Sequence, residues 1–382
     1  MISEALYEYI VSIRRTIHEH PEIGFDLPVT TALVKKELDA IGVPYTDKFA
    51  PSSVVAYFGN DPKRRTVAVR ADMDALPIEE KTGVPFCSKI PGKMHACGHD
   101  THTAILLGLA KLLKAEEEKL SVNVRLFFQP SEECDVSGAV KMIENGVMDG
   151  VDEILCTHCE SSLQADEIGY AYGGYMAACM PFTIRFYGKT SHAAAAPEKG
   201  IDAIRMGYEA YGALEELVKK TFEGKRFIWN VGVFSGGTAH NVIADFCELK
   251  ITFRYFDEET AAEFREEAIR LICGIAEKKG GRAEVRAEIS SHAVYNDRAL
   301  VDRFVSILRE NTPFKLTEMP YRMSSEDFNW YLQKAPGFIF RFGIAPDDGT
   351  KASPAHSDTF TVNERGMKAA LTAFETYLLN CR

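Results

Sequence analysis

The stretch Met94–His102 constrains this chain more than any other, because it holds one cysteine, three histidines and one aspartate within nine residues. Thiolates and imidazoles are the ligands that borderline-soft transition metals prefer. Cys97 and His99 are two residues apart, so on an extended loop both side chains can point towards one ion. An apolar helical run, Thr103 to Leu113, follows directly. The stretch therefore predicts a metal-binding loop that feeds a helix, rather than a solvated turn with accidental histidines.

Further metal-ligand residue types occur where three predicted strands end. Apolar runs at 66–70, 122–129 and 153–157 predict buried strands. The residues that follow these runs are Asp72 and Asp74, then Glu132 and Glu133, and finally His158. Open α/β sheets place their sites at the carboxyl ends of strands. The pattern therefore favours a shared site over three unrelated solvated loops.

The acidic residues suggest a division of roles. Of two adjacent glutamates at a strand end, one can bind metal while the other acts as general base. Asp74 is expected to orient a metal ligand, although a carboxylate there could instead cap the next turn. His356 lies in a loop before the last predicted helix, and by itself it indicates little.

Composition limits the class of protein. The chain has 382 residues, enough for two domains, with 46% hydrophobic and 26% charged residues. A net charge of -11 argues against nucleic-acid binding. We find no apolar run long enough to cross a bilayer, and the N-terminus predicts an amphipathic helix rather than a signal peptide. Nine scattered cysteines fit free thiols in a reducing cytoplasm.

From about residue 180 the pattern changes to strand, helix, strand, strand, helix, strand, which is the ferredoxin-like order. The predicted fold class is therefore α/β: a mixed-sheet domain with helices on both faces, plus an inserted ferredoxin-like βαββαβ domain. We expect the first domain to span residues 1–179 and 293–382, and the insertion to span 180–292.

Cys156 and Cys159 have a C-x-x-C spacing. The spacing could mark a redox pair, but the flanking residues lack the thioredoxin-type context, and a second such pair for a zinc ribbon is missing. We interpret both cysteines mainly as packing residues.

Taken together, these stretches resemble the dinuclear-metal amidohydrolases, which include aminoacylase, hippurate hydrolase, indole-acetyl-amino-acid hydrolase and N-acetyldiaminopimelate deacetylase, relatives of the carboxypeptidase G type. The resemblance covers nearly the whole chain in order. The matching segments are Arg70–Glu80, Met94–Asp100, Phe128–Glu133, Gly188–Ala194, Gly236–Ile243, Ser325–Phe328 and Ala355–Phe360.

The resemblance implies a role for each matching residue. Two divalent ions, zinc, manganese or cobalt, would be held by Cys97 as the bridging ligand together with His99, Glu133, His158 and His356. Glu132 would be the general base for a metal-bound hydroxide that attacks an amide carbonyl. The insertion would be a lid or dimerisation domain of a homodimer or dimer-based oligomer, and its His192 would polarise the carbonyl in the partner subunit's site. Asn241 and Arg254 are candidates for holding a substrate carboxylate.

The chain departs from the family pattern beside the expected substrate mouth. Cys134–Gly138 replaces a glycine-rich segment, and Cys159–Ser162 replaces an apolar one. We expect a cytoplasmic hydrolase of N-acyl, mainly N-acetyl, amino acids or related amidated carboxylates, with the exact substrate open. The alternatives are a dipeptidase or aminopeptidase on the same scaffold and a non-catalytic metal-binding relative.

Overall fold

The computed structural model describes residues 2–348, 350 and 352–381. The helices in these residues are α1 (Glu4–His18), α2 (Pro28–Ile41), α3 (His99–Ala115), α4 (Gly138–Glu144), α5 (Ala203–Thr221), α6 (Glu258–Lys278), α7 (Arg298–Asn311), α8 (Asn329–Leu332) and α9 (Gly366–Asn380). The strands are β1 (Tyr45–Thr46), β2 (Val54–Phe58), β3 (Thr66–Asp72), β4 (Asn123–Gln129), β5 (Glu153–Glu160), β6 (Glu167–Tyr170), β7 (Gly173–Met176), β8 (Ala178–Cys179), β9 (Phe182–Tyr187), β10 (Phe227–Gly236), β11 (Phe246–Tyr255), β12 (Arg282–Ala287), β13 (Val294–Asn296), β14 (Lys315–Glu318) and β15 (Gly337–Gly343).

The chain divides into two compact units. Unit 1 comprises Met1–Tyr175, Tyr295–Pro320 and Asp327–Arg382, and unit 2 comprises Met176–Val294 and Tyr321–Glu326. The segment 321–326, which the sequence reading assigned to the first domain, groups with unit 2. The domain boundaries at 180 and 292 stay a prediction.

Unit 1 is built on a mixed sheet with the strand order β1-β2-β4-β3-β5-β15-β6-β14. The four central strands β4, β3, β5 and β15 are parallel to one another. Every residue of β3 and β15 is buried, as expected for parallel strands that are covered on both faces. The predicted mixed-sheet α/β domain is confirmed.

Alternating side chains of β4 show that helices cover both faces of this sheet. Leu126 and Phe128 belong to the core cluster that also contains apolar residues of α1, α3 and α9. Phe127 points to the opposite face, where its ring lies 5.9 Å from that of Tyr331 in α8.

The parallel strands end at one edge of the sheet, and there the sheet opens. The pairing of β3 with β5 stops at Arg70 and Cys156, whereas β15 continues to pair with β5 as far as Gly343 and Glu160. Beyond Cys156, strand β5 has therefore lost its neighbour on the β3 side. A crevice at the carboxyl ends of strands is where open α/β sheets bind ligands.

Helix α3 begins earlier than the sequence suggested. Gly98 is its N-cap and has a φ of 86°, which residues with a side chain rarely adopt. His99 is the first helical residue. The prediction of an extended loop at Cys97 and His99 was wrong, because the left-handed glycine turns the chain directly into the helix. His99 and His102 thus lie three apart on one face of its first turn.

Unit 2 contains an antiparallel sheet with the strand order β10-β11-β9-β12, and β8 pairs with β11. Helices α5 and α6 contribute Leu214, Phe264 and Ile272 to a core shared with Phe182 and Phe253 of the sheet. This βαββαβ order confirms the predicted ferredoxin-like insertion. Across the described residues, no helix combines the length and apolar character needed to span a membrane.

Candidate metal centre

His99 is held in a single orientation at the start of α3. It is 1% exposed, and its Nδ1 donates to the backbone carbonyl of Asp74 at 2.8 Å. That bond leaves the Nε2 lone pair free, and this buried atom has no hydrogen-bond partner among the described residues. A histidine whose Nδ1 is bound to a carbonyl and whose Nε2 is free is the usual form of a metal ligand.

Asp74 supports the two glutamates as well. Its carboxylate accepts the backbone N–H groups of Glu132 at 3.0 Å and Glu133 at 3.1 Å. Ser131, just before them, has a left-handed φ of 56°, a strained conformation for a residue other than glycine. Asp74 therefore contacts His99 through its backbone carbonyl and the backbone of Glu132 and Glu133 through its carboxylate. The sequence predicted an orienting role for Asp74 without specifying these contacts.

The two glutamates converge on the histidines. His99 Nε2 lies 3.9 Å from an oxygen of Glu132 and 3.8 Å from one of Glu133. His356 Nε2 lies 3.2 Å from the same Glu133 oxygen. These contacts bring a loop after β4, the start of α3 and the loop before α9 to one point.

His158 reaches the same point from β5. It lies within the strand rather than after it, and its Nδ1 donates to the carbonyl of Cys159 at 2.8 Å. Its Nε2 faces the Cys97 sulfur at 3.4 Å. Burial, reinforced by the charge of Arg341, holds the pKa of His158 well below its ordinary value, so the ring stays neutral, as a ligand must be.

Two groups of ligand atoms share the Cys97 thiol. Cys97 with His99 and His158 forms one group, and Cys97 with Glu133 and His356 forms the other; within each group the ligand atoms lie within 4.8 Å of one another. A sulfur that belongs to both groups is suitably placed to bridge two cations. The mixture of thiolate, imidazole and carboxylate suits zinc or cobalt better than magnesium.

The protonation of the centre also fits a cation. Burial raises the pKa of the Cys97 thiol well above its ordinary value. Burial lowers the pKa of His99, but the negative charge of Asp72 and the neighbouring Cys97 outweigh this effect and raise the pKa well above the usual range. Cation binding at Cys97 would therefore displace the proton of its thiol.

The remaining predicted site residues lie in unit 2. His192 is exposed, and its loop runs beside that of Asn241, because Ala193 N–H donates to the Asn241 carbonyl at 2.9 Å. Arg254, in β11, donates to the Ser325 hydroxyl at 2.9 Å. The structure thus groups His192 with Asn241, while no contact between either of them and Arg254 occurs among those we describe.

Cys156 and Cys159 do not behave as a redox pair. Both are buried and neither forms a disulfide, and burial raises the pKa of Cys159 to about 12. Because they are three apart in a strand, their side chains point to opposite faces of the sheet. Thiols of this kind are inert packing residues.

The sequence indicated Asp72 and His102 only as residues of metal-ligand type and predicted no specific contact for either. In the structure, His102 Nδ1 donates to Asp72 at 2.6 Å, and Cys159 N–H donates to His102 Nε2 at 3.1 Å. Both ring nitrogens are therefore occupied, and His102 is not available as a ligand. The sequence signal for a role of His102 was its spacing of three residues from His99. That spacing indicates a shared helix face only if the helix begins at His99.

A sequence profile of peptidase family M20/M25/M40 matches residues 68–380. The chain belongs to this family. Membership of M20/M25/M40 confirms the predicted relationship to the amidohydrolases and the expectation of a metal-dependent amidohydrolase.

Individual relatives of this M20/M25/M40 chain are similar over nearly its full length. N-acetyl-L-cysteine deacetylase of Bacillus subtilis is 34% identical, over 97% of this chain and 88% of that protein. Thermostable carboxypeptidase 1 of Saccharolobus solfataricus is 35% identical, over 96% of this chain and 93% of that protein. The crystal structure of YxeP of Bacillus subtilis, a dinuclear metal binding peptidase of the M20 family, superposes with a TM-score of 0.86 at 30% identity and covers 99% of this chain and 98% of that one.

Proposed function

We propose that this chain hydrolyses the amide bond of N-acyl amino acids, mainly N-acetyl amino acids, at a centre of two divalent cations. Zinc, manganese and cobalt are the candidate ions. The observation that carries the proposal is the position of Cys97 in two ligand groups, one completed by His99 and His158 and the other by Glu133 and His356.

When bound, such a pair of cations would polarise the amide carbonyl and acidify water. Glu132 is the proton carrier in this proposal. Its carboxylate lies beside the ligands, 3.9 Å from His99 Nε2, while its backbone is fixed by Asp74. It would take a proton from the attacking water and deliver it to the leaving nitrogen.

His192 is suited to polarising the substrate carbonyl. Its Nδ1 accepts the N–H groups of Ala194 and Ala195, each at 3.2 Å, so the proton resides on Nε2, which can donate to an oxygen. In our proposal it acts in the site of the partner subunit. Asn241, in the adjacent loop, and Arg254 would hold the substrate carboxylate.

The homodimer that this sharing requires has a candidate surface in unit 2. Strand β10 is at the edge of the described sheet and exposes Val233 and Phe234, which are 37% and 46% accessible. On helix α5, Ile204 and Tyr208 are 40% and 70% accessible. The Tyr211 ring stacks on Phe234 with centroids 6.3 Å apart and so joins the strand and the helix into one apolar surface. A second copy could pair with this edge and cover the surface.

All nine cysteines lie among the described residues as free thiols, which supports a reducing compartment, the cytoplasm.

A peptidase that cleaves dipeptides is the second candidate, favoured by the similarity to a thermostable carboxypeptidase. We suggest assaying the purified protein, loaded with cobalt, on N-acetyl amino acids and on dipeptides with the same C-terminal residue. We expect the N-acetyl compounds to have a kcat/KM about tenfold higher or more. Faster cleavage of dipeptides would favour the peptidase, and an absence of turnover in metal-loaded protein would favour a non-catalytic metal-binding relative.

A further inference from the structure

The amide that follows His158 has an unusual hydrogen-bond partner. Because β5 loses its neighbour β3 beyond Cys156, strand pairing on that side ends before Cys159. The N–H of Cys159 instead donates to the imidazole of His102, at 3.1 Å from Nε2. The His102 side chain thus accepts a hydrogen bond that a neighbouring strand would otherwise accept. This occurs one residue after His158, a proposed metal ligand.

His102 is itself fixed by Asp72. Its Nδ1 lies 2.6 Å from Asp72 Oδ1, and both residues are at most 2% exposed. Since the carboxylate accepts the Nδ1 proton, Nε2 is left as the acceptor that Cys159 needs. Asp72 is anchored in turn by Arg70, whose guanidinium also donates to Asp327 at 2.6 Å.

The same imidazole contacts the His158 ring. The two ring centroids lie 4.8 Å apart at an angle of 61°, an edge-to-face arrangement. His102 therefore limits the movement of His158 in two ways, through the following backbone amide and through one edge of its ring.

We infer that His102 and Asp72 form a positioning pair that holds His158 in its metal-binding orientation. The inference rests on the proposed metal centre for its purpose, but the hydrogen bonds that carry it exist without any cation. The pair does not bind metal, because both nitrogens of His102 are engaged within the protein. Outer partners of this kind typically change metal affinity by about 10- to 100-fold when they are removed.

Two substitutions at position 102 distinguish the two hydrogen bonds that His102 makes. Glutamine at position 102 can place an acceptor near the position of Nε2, whereas asparagine can place a donor near Nδ1 but cannot reach the Cys159 amide. In metal-free protein, we expect His102→Asn to speed hydrogen exchange of the Cys159 amide by about tenfold or more. We expect His102→Gln to stay within about threefold of the parent protein.

Cobalt titration then measures the consequence for the centre. We expect His102→Asn to bind Co²⁺ about 10- to 100-fold more weakly than the parent protein, with changed cobalt absorption bands, and His102→Gln to bind within about threefold. His292→Asn is the control, because His292 belongs to unit 2, which holds none of the proposed ligands, and its Nδ1 likewise lies close to a carboxylate, 2.7 Å from Glu258 Oε2. It should leave Co²⁺ affinity within about threefold of the parent value.

The outcomes separate this inference from the proposed function. If the parent protein fails to bind Co²⁺, the proposed centre is wrong, and amide exchange still tests the hydrogen bond. If the parent binds Co²⁺ but His102→Asn matches it, or if the Cys159 amide exchanges at the parent rate in that variant, the positioning role is overturned. Equal losses of affinity in His102→Asn, His102→Gln and His292→Asn would also overturn it, because they would indicate general disruption.

Discussion

At the scale of single residues, Cys97 combines two opposing properties. Its sulfur belongs to both ligand groups, yet burial raises the pKa of its thiol well above the ordinary value. A thiol in such surroundings loses its proton only to a group that replaces the charge, and a divalent cation does this. Metal binding at Cys97 would therefore be coupled to the release of the thiol proton.

Glu132, the proposed general base, can be tested by a single substitution. Glu132→Gln keeps the size of the side chain but cannot accept a proton, so we expect kcat to fall about 100- to 10,000-fold while both cations stay bound. Steady-state kinetics together with metal analysis would measure this. Glu118→Gln is a matched control, since Glu118 is exposed on the surface of unit 1, and it should not alter turnover. Retained activity in Glu132→Gln would refute the role of base.

Residue types near strand ends indicated Glu133 and His158 as ligand candidates, because parallel strands bring their carboxyl ends to one edge. His356 was identified as a candidate only through the resemblance to the amidohydrolases. The roles of Asp72 and His102 could not be predicted in this way. They depend on where the pairing of β3 with β5 stops and on which ring nitrogen carries a proton, and both follow from the packing of segments distant in the chain.

At the scale of elements, the start of α3 is set by Gly98. It has a φ of 86°, and a Cβ there would lie 2.6 Å from the sulfur of Cys159. We expect Gly98→Ala to lower the free energy of unfolding by about 2–3 kcal/mol and to weaken metal binding, because it displaces Cys97 or Cys159. Denaturant unfolding and cobalt titration would measure the two effects.

Gly42 is the control for backbone strain alone. It has a comparable φ of 76°, but no described atom lies within 4 Å of a Cβ at that position. Gly42→Ala should cost about 1 kcal/mol and leave metal binding unchanged. If the two variants behave alike, close packing against Cys159 does not position the helix start.

The loop after β3 is tied to α1 through Glu80. Its carboxylate lies 3.2 Å from His18 Nε2 and accepts the N–H of Ser88 at 2.6 Å. Burial acts to raise the pKa of Glu80, but hydrogen bonds from His18, Thr82 and Ser88 outweigh it and lower the pKa to about 2, from an ordinary 4.5. Since the folded-state pKa is depressed, the charged carboxylate stabilises the fold above pH 4.5, and this stabilisation is lost as the pH falls towards 2.

Replacing Glu80 tests this pH dependence. Between pH 4.5 and 2, we expect the free energy of unfolding to fall by about 1–2 kcal/mol less in Glu80→Gln than in the parent protein. This value allows for partial exposure of the carboxylate. Urea denaturation across that range would measure it, with Glu118→Gln as the exposed control. Parallel pH profiles for the parent and Glu80→Gln would contradict the assigned contacts.

Helices and strands with a regular alternation of apolar and polar residues could be predicted from the sequence. The residues at which elements begin and end were harder to predict. The strand Phe182–Tyr187 follows from its alternation of buried and accessible positions. The start of α3 was placed too late, at Thr103, because its first turn carries His99, Asp100 and His102 rather than apolar residues. Where polar side chains of a functional site are buried, the alternation of apolar and polar residues that normally indicates a helix is lost.

At the scale of the whole molecule, the candidate residues are divided between the two units. The metal ligands and Glu132 belong to unit 1, whereas His192 and Asn241 belong to unit 2. A homodimer in which His192 serves the partner's site makes complementation possible. Two variants that are inactive alone, His192→Ala and Glu132→Gln, should regain activity when mixed dimers form.

The size of the effect can be estimated from random pairing. Half of the dimers would be mixed and each would hold one intact site, so we expect about a quarter of the parent activity after co-expression. Mixing two preparations of the same variant is the control and should give no gain. Activity no higher than the sum of the separate variants would contradict shared sites.

Anomalous diffraction from crystals of the cobalt-loaded protein locates each cation and so shows whether the Cys97 sulfur bridges two of them. We expect two peaks about 3.5–4 Å apart, both within about 2.3 Å of the Cys97 sulfur. One peak would be surrounded by His99 and His158, and the other by Glu133 and His356. A single peak, or a pair of which neither contacts Cys97, would contradict this expectation.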